Sequence, residues 1–181
     1  MHKQDYIALF HALHPDFFRD EGIRNMPKDW IFTELVLDLR TDRPIEVPCD
    51  LPRGITFGEY HGDIKPLRDA VHRVDEEWVQ YFNEGDRHFC AFDGEKIVAF
   101  CELSDMGRFE GVHIGGPGCV GTIPEYREKG IGLELVRLAT ETLRRDGFDI
   151  SWIHYTHLAN WYMKLGYKPV LRWNSGGIIA D

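Results

Sequence analysis

Apolar side chains recur every three or four residues through Tyr6, Ile7, Phe10, Leu13 and Phe17, a period that predicts an amphipathic helix over residues 3–19. Gly22 and Pro27 interrupt it, and Ile31, Phe32, Leu35, Val36 and Leu39 share one face of a second expected helix. The run Arg43-Pro44-Ile45-Glu46-Val47-Pro48 cannot stay helical, because each proline lacks a backbone donor and fixes its own φ. Residues 1–47 are therefore expected to form an N-terminal helical hairpin ahead of a main domain at 48–181. Two amphipathic helices cannot bury both stripes alone, so the hairpin must pack on the domain or on another subunit, as a lid or a homodimer contact.

The pattern then alternates. Ile55–Tyr60 predicts a strand, and Ile64 to about Phe82 predicts one or two helices. Arg87–Phe92 and Lys96–Leu103 flank Asp93-Gly94, a turn pair that needs positive φ and predicts a hairpin. A further strand spans Val112–Ile123, interrupted by Gly115-Gly116-Pro117-Gly118, which marks a bulge or a close approach. A helix at 131–145, a strand at 148–155, a helix at 158–165 and a strand at 167–173 complete a mixed α+β order.

Composition narrows the function. A chain of 181 residues with 43% hydrophobic side chains can bury one sizeable core. Its formal charge of −9 opposes binding to phosphate backbones, so nucleic acid is not an expected partner. No apolar run approaches the roughly 20 residues of a membrane span. The N-terminus lacks a secretory pattern, and the four cysteines are widely spaced with no Cys-x-x-Cys pair, so a reduced, cytoplasmic protein is expected.

Residues 120–135 carry the main chemical signal. A strand ends at Pro124, a polar turn with Arg127 and Lys129 follows, and Gly130-Ile131-Gly132 opens a helix. Free amides at a helix start, its dipole and glycines that admit close approach make an anion site, although an ordinary strand-to-helix turn has the same local look.

Together, Pro124, Tyr126, Arg127, Gly130, Ile131 and Gly132 resemble the Arg-x-x-Gly-x-Gly/Ala signature of the Gcn5-related N-acetyltransferase (GNAT) superfamily. Trp161-Tyr162-Met163-Lys164-Leu165-Gly166-Tyr167 is similar to that family's closing helix. The resemblance covers residues 54–173 and implies a central, mostly antiparallel twisted sheet flanked by helices in an α/β/α arrangement. It implies an acyltransferase that uses acetyl-CoA as co-substrate and acetylates a primary amine by direct transfer. Backbone amides at Arg127, Glu128, Lys129, Gly130, Ile131 and Gly132 would hold the pyrophosphate. Val120, Gly121 and Thr122 would pair with the pantetheine arm, with a bulge just upstream polarising the thioester carbonyl. Tyr162 would sit near the sulfur as general acid. The chain departs from the family at Tyr155, where an asparagine often stands.

Direct transfer needs a neutral amine, and deprotonating a lysine-like ammonium at pH 7 costs roughly 4–5 kcal/mol, which a general base offsets in part. Glu102 and His113 are the candidate bases. Asp75-Glu76-Glu77-Trp78 and Tyr81-Phe82-Asn83-Glu84 suit a small cationic or peptide amine, although Asp75–Glu77 also fits a solvated helix face. The pairs His11/His14 and His154/His157 lack a third ligand, so no metal is expected. Cys119 reads as a small buried strand residue rather than an acetyl relay. No Gly-x-Ser-x-Gly or nucleotide-binding Gly-x-x-x-x-Gly-Lys-Ser/Thr occurs. The second functional class consistent with these residues is a non-catalytic acyl-CoA-binding regulatory domain.

Overall fold

A computed structural model describes residues 2–179. In chain order the elements are α1 (Lys3–Leu13), α2 (Glu21–Arg24), β1 (Phe32–Asp38), β2 (Ile55–Glu59), α3 (Ile64–His72), a 3-10 helix (Glu76–Tyr81), β3 (His88–Asp93) and β4 (Lys96–Phe109). They continue with β5 (Val112–Thr122), α4 (Ile131–Arg145), β6 (Ile150–Thr156), α5 (Ala159–Met163), β7 (Lys168–Asn174) and β8 (Gly177–Ile178). The strands form one sheet in the order β2-β3-β4-β5-β6-β1-β7-β8. Every neighbouring pair is antiparallel except β5 and β6. This is the expected α+β architecture of a mostly antiparallel sheet flanked by helices.

The N-terminal helical hairpin is corrected. Its first helix ends at Leu13, and the second expected helix is strand β1, lodged between β6 and β7. A strand buried on both faces reads as a continuous apolar run, and such a run matches a helical spacing equally well. Alternation along β1 sends Leu35 and Leu37 into one core and Phe32 and Val36 into the other. The first core also holds Leu67 and Val71 of α3 and Leu135, Val136, Ala139 and Leu143 of α4. The second is roofed by Leu9 and Phe10 of α1 over Trp152, Leu171 and Trp173.

The second core contains a buried carboxylate. Glu34 is 0% exposed and accepts hydrogen bonds from Trp152 Nε1 at 2.6 Å, Trp173 Nε1 at 2.7 Å and the Tyr155 amide at 3.1 Å. His154 Nδ1 lies 2.9 Å from Oε2, the oxygen that also accepts from Trp152, and the His154 ring stacks on His14 with centroids 3.9 Å apart. Opposite Glu34, the β1–β6 register jumps from Thr33↔Thr156 to Leu35↔Ile153, so His154 and Tyr155 form a bulge.

The single parallel junction is short. Ile114 pairs with Ile150 and Gly115 with Ser151, after which the two strands separate. Gly116 is needed where they part, because a Cβ there would stand 2.0 Å from the Trp152 carbonyl oxygen. Gly116→Ala is expected to cost about 3 kcal/mol, since neither backbone can yield without breaking the sheet. Gly118→Ala would meet Ser104 Oγ at 3.4 Å and Glu102 Oε2 at 3.5 Å, ordinary contact distances, and should barely move the midpoint. Urea unfolding of both variants checks this contrast.

Candidate functional site

The separation of β5 from β6 leaves a gap, and three non-glycine residues with positive φ border it. They are Cys119 (φ 46°) on β5, Glu128 (φ 62°) before α4 and Tyr155 (φ 58°) on β6. Such conformations are uncommon for these residue types and concentrate at binding and catalytic sites. On β5 the cause is a bulge: Phe100 pairs with Gly121 and Glu102 with Gly118, leaving Cys119 and Val120 opposite Cys101 alone.

One wall of the gap ends in the turn that leads into α4. Pro124–Tyr126 makes a 3-10 turn, and Gly130, with φ 75°, caps the start of α4. The Arg127 amide donates to the Pro124 carbonyl at 3.3 Å, so it is engaged within the turn rather than presented outward. Among the described residues, no backbone acceptor takes the amides of Glu128, Lys129, Gly130, Ile131 or Gly132. These five unpaired donors lead into a fifteen-residue helix and make a cradle of amides able to accept an anion. Arg127 Nε holds the Thr122 carbonyl at 3.0 Å, and Lys129 Nζ donates to the Glu125 carbonyl at 2.8 Å. A Cβ at Gly130 would stand 2.6 Å from Cys49 Cβ, so the 40–53 segment backs the loop. At Gly132 a Cβ would stand 3.0 Å from Thr122 Oγ1 and 3.6 Å from the Trp161 ring, which brings α5, the strand end and the cradle together.

Tyr162 and Glu102 approach the bulge from different directions. Tyr162 is 6% exposed, edge-on to Trp161 at 4.8 Å and to Tyr167 at 6.1 Å. Burial, with Tyr167, Cys101 and Cys119 nearby, pushes its phenol well above the ordinary value near 10. Tyr167 is committed elsewhere, sharing hydrogen bonds with Thr140 and Ser151 at 2.7 Å each. Glu102 and Phe100 lie on the opposite face of β4 from Cys101, toward Phe82, whose ring meets Phe100 edge-on at 5.4 Å. Burial and the Asp86 charge raise the Glu102 pKa, while a Ser104 hydroxyl bond opposes them. Burial also pushes the Cys119 thiol up to about 12, aided by the carboxylates of Glu102 and Asp75. Cys119 is thus held as a thiol, a poor nucleophile at neutral pH.

The two candidate bases part here. Glu102 pairs with Gly118, beside the bulge, whereas His113 pairs with Arg108. His113 lies five positions along β5 from Gly118, roughly 16 Å of extended strand. Its Nε2 is 3.0 Å from Asp105 Oδ1, its amide donates to Asp149, and its ring stacks on Phe148 at 3.9 Å.

Across the gap, Asp75 caps the 3-10 helix by accepting from the Glu77 amide at 2.9 Å. Tyr81 on that helix and Tyr155 on the β6 bulge are both exposed, and their phenols are close enough for Tyr81 to add to the burial that raises Tyr155. Tyr155, at the position of the family asparagine, donates its hydroxyl to Met26 Sδ at 3.2 Å. Among the described residues, no group of three or more metal-ligating side chains converges, and no helix is long and apolar enough to cross a membrane. Ser104, His88 and Glu34 escaped the sequence reading, and Trp161 entered it only as part of the closing-helix motif. The only local sign was Ser104, two residues beyond Glu102 and therefore on the same strand face.

The description "Acetyltransferase (GNAT) family" matches residues 56–167, more than half of the chain. No curated protein matches. Among solved structures, the chain is similar to a GCN5-related glucosamine N-acetyltransferase region of a fungal multi-domain GH3 beta-N-acetylglucosaminidase, with TM-score 0.62 and 21% identity over 81% of this chain and 20% of that one. It is also similar to a GCN5-related N-acetyltransferase from Sphaerobacter thermophilus, with TM-score 0.59 and 18% identity over 80% of this chain and 50% of that one. A GCN5-related N-acetyltransferase from Kribbella flavida gives TM-score 0.56 and 20% identity over 78% and 55%. The chain therefore spans about half or less of the length of these relatives.

Proposed function

The chain belongs to the acetyltransferase (GNAT) family, and from that premise we propose that it moves an acetyl group from acetyl-CoA directly to a primary amine. The observation that carries this reading is the row of unpaired amides from Glu128 to Gly132, set at the end of a strand whose bulge faces both Glu102 and Tyr162. Glu128, Lys129, Gly130, Ile131 and Gly132 would hold the pyrophosphate, and Arg127 would brace the loop through Thr122. Val120, Gly121 and Thr122 would pair with the pantetheine arm across the gap left by β6. When bound, acetyl-CoA supplies the activated acyl group.

Glu102 would take a proton from the acceptor ammonium. Tyr162 would steady charge developing on sulfur: a phenol raised above 10 is a weaker acid than a thiol near 8.5, so it donates a hydrogen bond instead of surrendering its proton. The acceptor would enter beside Asp75, Tyr81 and Tyr155, where carboxylate and aromatic groups favour a small cationic amine or a peptide amine. Tyr155 in place of the family asparagine favours the second reading, an acyl-CoA-binding regulatory domain without transfer.

Melting with excess acetyl-CoA tests the cofactor site. At 100 times the dissociation constant the protein should gain about 2.7 kcal/mol, or about 5–11 °C in Tm. Gly132→Val, which crowds Thr122 and Trp161, should abolish that gain; an unshifted wild type would sink the proposal. Thiol release over a panel of amines that includes glucosamine and 1,3-diaminopropane then separates transfer from binding alone.

A further inference from the structure

His88 opens β3 and is 3% exposed, with its ring stacked on Phe82 at 5.3 Å. Its Nε2 is buried without a hydrogen-bond partner. Such an orphan is costly, and folding alone gives no reason to keep it. The residue directly across the β3–β4 ladder is Glu102. Opposite residues of an antiparallel pair project to one face with Cβ atoms roughly 4.5–5.5 Å apart. The two side chains form no direct hydrogen bond or ion pair among the described residues, and His88 Nε2 is left to reach Glu102 through one water.

The same imidazole borders a cavity of about 350 Å³, walled also by Glu59, His61, Glu84, Asp86 and Arg87. Arg87 is tied to Glu59 and Asp146, at 2.6 Å each. Asp86 acts on both members of the pair: its charge raises Glu102 and opposes the burial that lowers His88. The base is thus pushed up and the imidazole down, which brings their proton affinities together.

We propose that His88 receives the proton that Glu102 takes from the acceptor ammonium and releases it to water in this cavity. The inference rests on the transfer reading above, with Glu102 as base. In the first step an acceptor N–H bond breaks and the Glu102 carboxylate becomes a carboxylic acid, leaving a neutral amine. In the second, that acid returns to carboxylate as neutral His88 becomes imidazolium. In the third, the imidazolium gives its proton to cavity water, so the site is reset before the C–N bond forms and the C–S bond breaks. The cavity lies on the β2–β3 side of Glu102, away from the β5–β6 gap, so the proton would leave without crossing the bound thioester.

His88→Phe removes both ring nitrogens and keeps a ring against Phe82. Full-length wild type, His88→Phe, His88→Gly and Glu102→Gln are compared in thiol release from acetyl-CoA, with 1,3-diaminopropane as the acceptor probe. The relay predicts that His88→Phe lowers kcat by about 10²-fold and leaves KM for acetyl-CoA unchanged, and that His88→Gly, which vacates the ring's space, regains rate saturably when imidazole is added. Glu102→Gln should lose at least as much and gain nothing from imidazole. A His88→Phe kcat within about twofold of wild type, or a His88→Gly loss that imidazole leaves untouched, overturns the relay.

A second measurement needs no acceptor. In NMR titrations of the acetyl-CoA complex, Glu102→Gln should lower the His88 midpoint by about half a unit or more, because a neighbouring carboxylate stabilises imidazolium. An unmoved midpoint overturns the pairing. Failure of the wild type to bind acetyl-CoA in the melting assay would instead overturn the transfer reading, and the relay with it.

Discussion

Glu34→Ala should lose about 3–5 kcal/mol of stability, a large share of the roughly 5–15 kcal/mol typical of a folded domain. The substitution leaves Trp152 Nε1, Trp173 Nε1 and the Tyr155 amide facing a cavity, and each had donated to this carboxylate. An unsatisfied buried donor costs about 1–3 kcal/mol, so the loss exceeds what the removed methylenes alone would give. At about 2–4 °C per kcal/mol for a chain of this size, Tm should fall by about 6–20 °C. Glu34→Gln should cost less, because its amide oxygen still accepts from some of these donors while its NH₂ faces the rest. Equal melting of all three proteins would show that the carboxylate is not the organising group of the second core.

This cluster also sets an acid limit. Burial raises Glu34, but the His154 hydrogen bond and charge and the two indole bonds outweigh it, so its folded pKa lies below 4.5. A depressed carboxylate gives stability that is present above pH 4.5 and lost as pH falls through the folded value. His14, stacked on His154 and with its Nε2 buried and unpartnered, is lowered to about 4, chiefly by burial and then by the His154 charge. Folding favours its neutral form, so its contribution is complete above pH 6.5 and declines as pH falls from 6.5 toward 4. The first stage of acid destabilisation should therefore belong to His14. In His14→Phe, which keeps a ring in the stack, urea midpoints between those two pH values should be flatter than in wild type.

What the chain displayed openly was local chemistry. The loop from Arg127 to Gly132 and the Tyr162 segment each lie within a few consecutive residues, so their spacing alone marks them. The Asp93-Gly94 hairpin was legible for the same reason, since the turn residues and both flanking strands are contiguous. The β1 segment was not, because positions 31, 32, 35, 36 and 39 fit one helix face as well as a strand apolar on both faces. Only its partners, β6 and β7, decide between them, and they lie more than 100 residues away. Glu34 was hidden for that reason too, with its donors at Trp152, His154 and Trp173 contributed by those distant strands. The choice between Glu102 and His113 was likewise a question of register. Sequence places both on neighbouring strands, and only the β4–β5 pairing puts Gly118 opposite Glu102 and Arg108 opposite His113.

Glu102→Gln should lower kcat by about 10²–10⁴-fold with a cationic amine acceptor, while leaving the thermal gain from acetyl-CoA intact. The amide matches the carboxylate in shape and can still bond Ser104, so folding and cofactor binding give no reason for a loss of that size. A base works only when deprotonated, so the wild-type rate should climb as pH rises through the Glu102 pKa, which burial and Asp86 hold above the usual carboxylate value of 4.5. Asp86→Asn removes the like charge, which should lower that pKa and move the acid limb toward lower pH. The two variants thus separate chemistry from structure: one should erase the limb, the other displace it. A Glu102→Gln enzyme with wild-type kcat and the same acid limb would mean that the proton leaves by another route, and the assignment of Glu102 as base would fall.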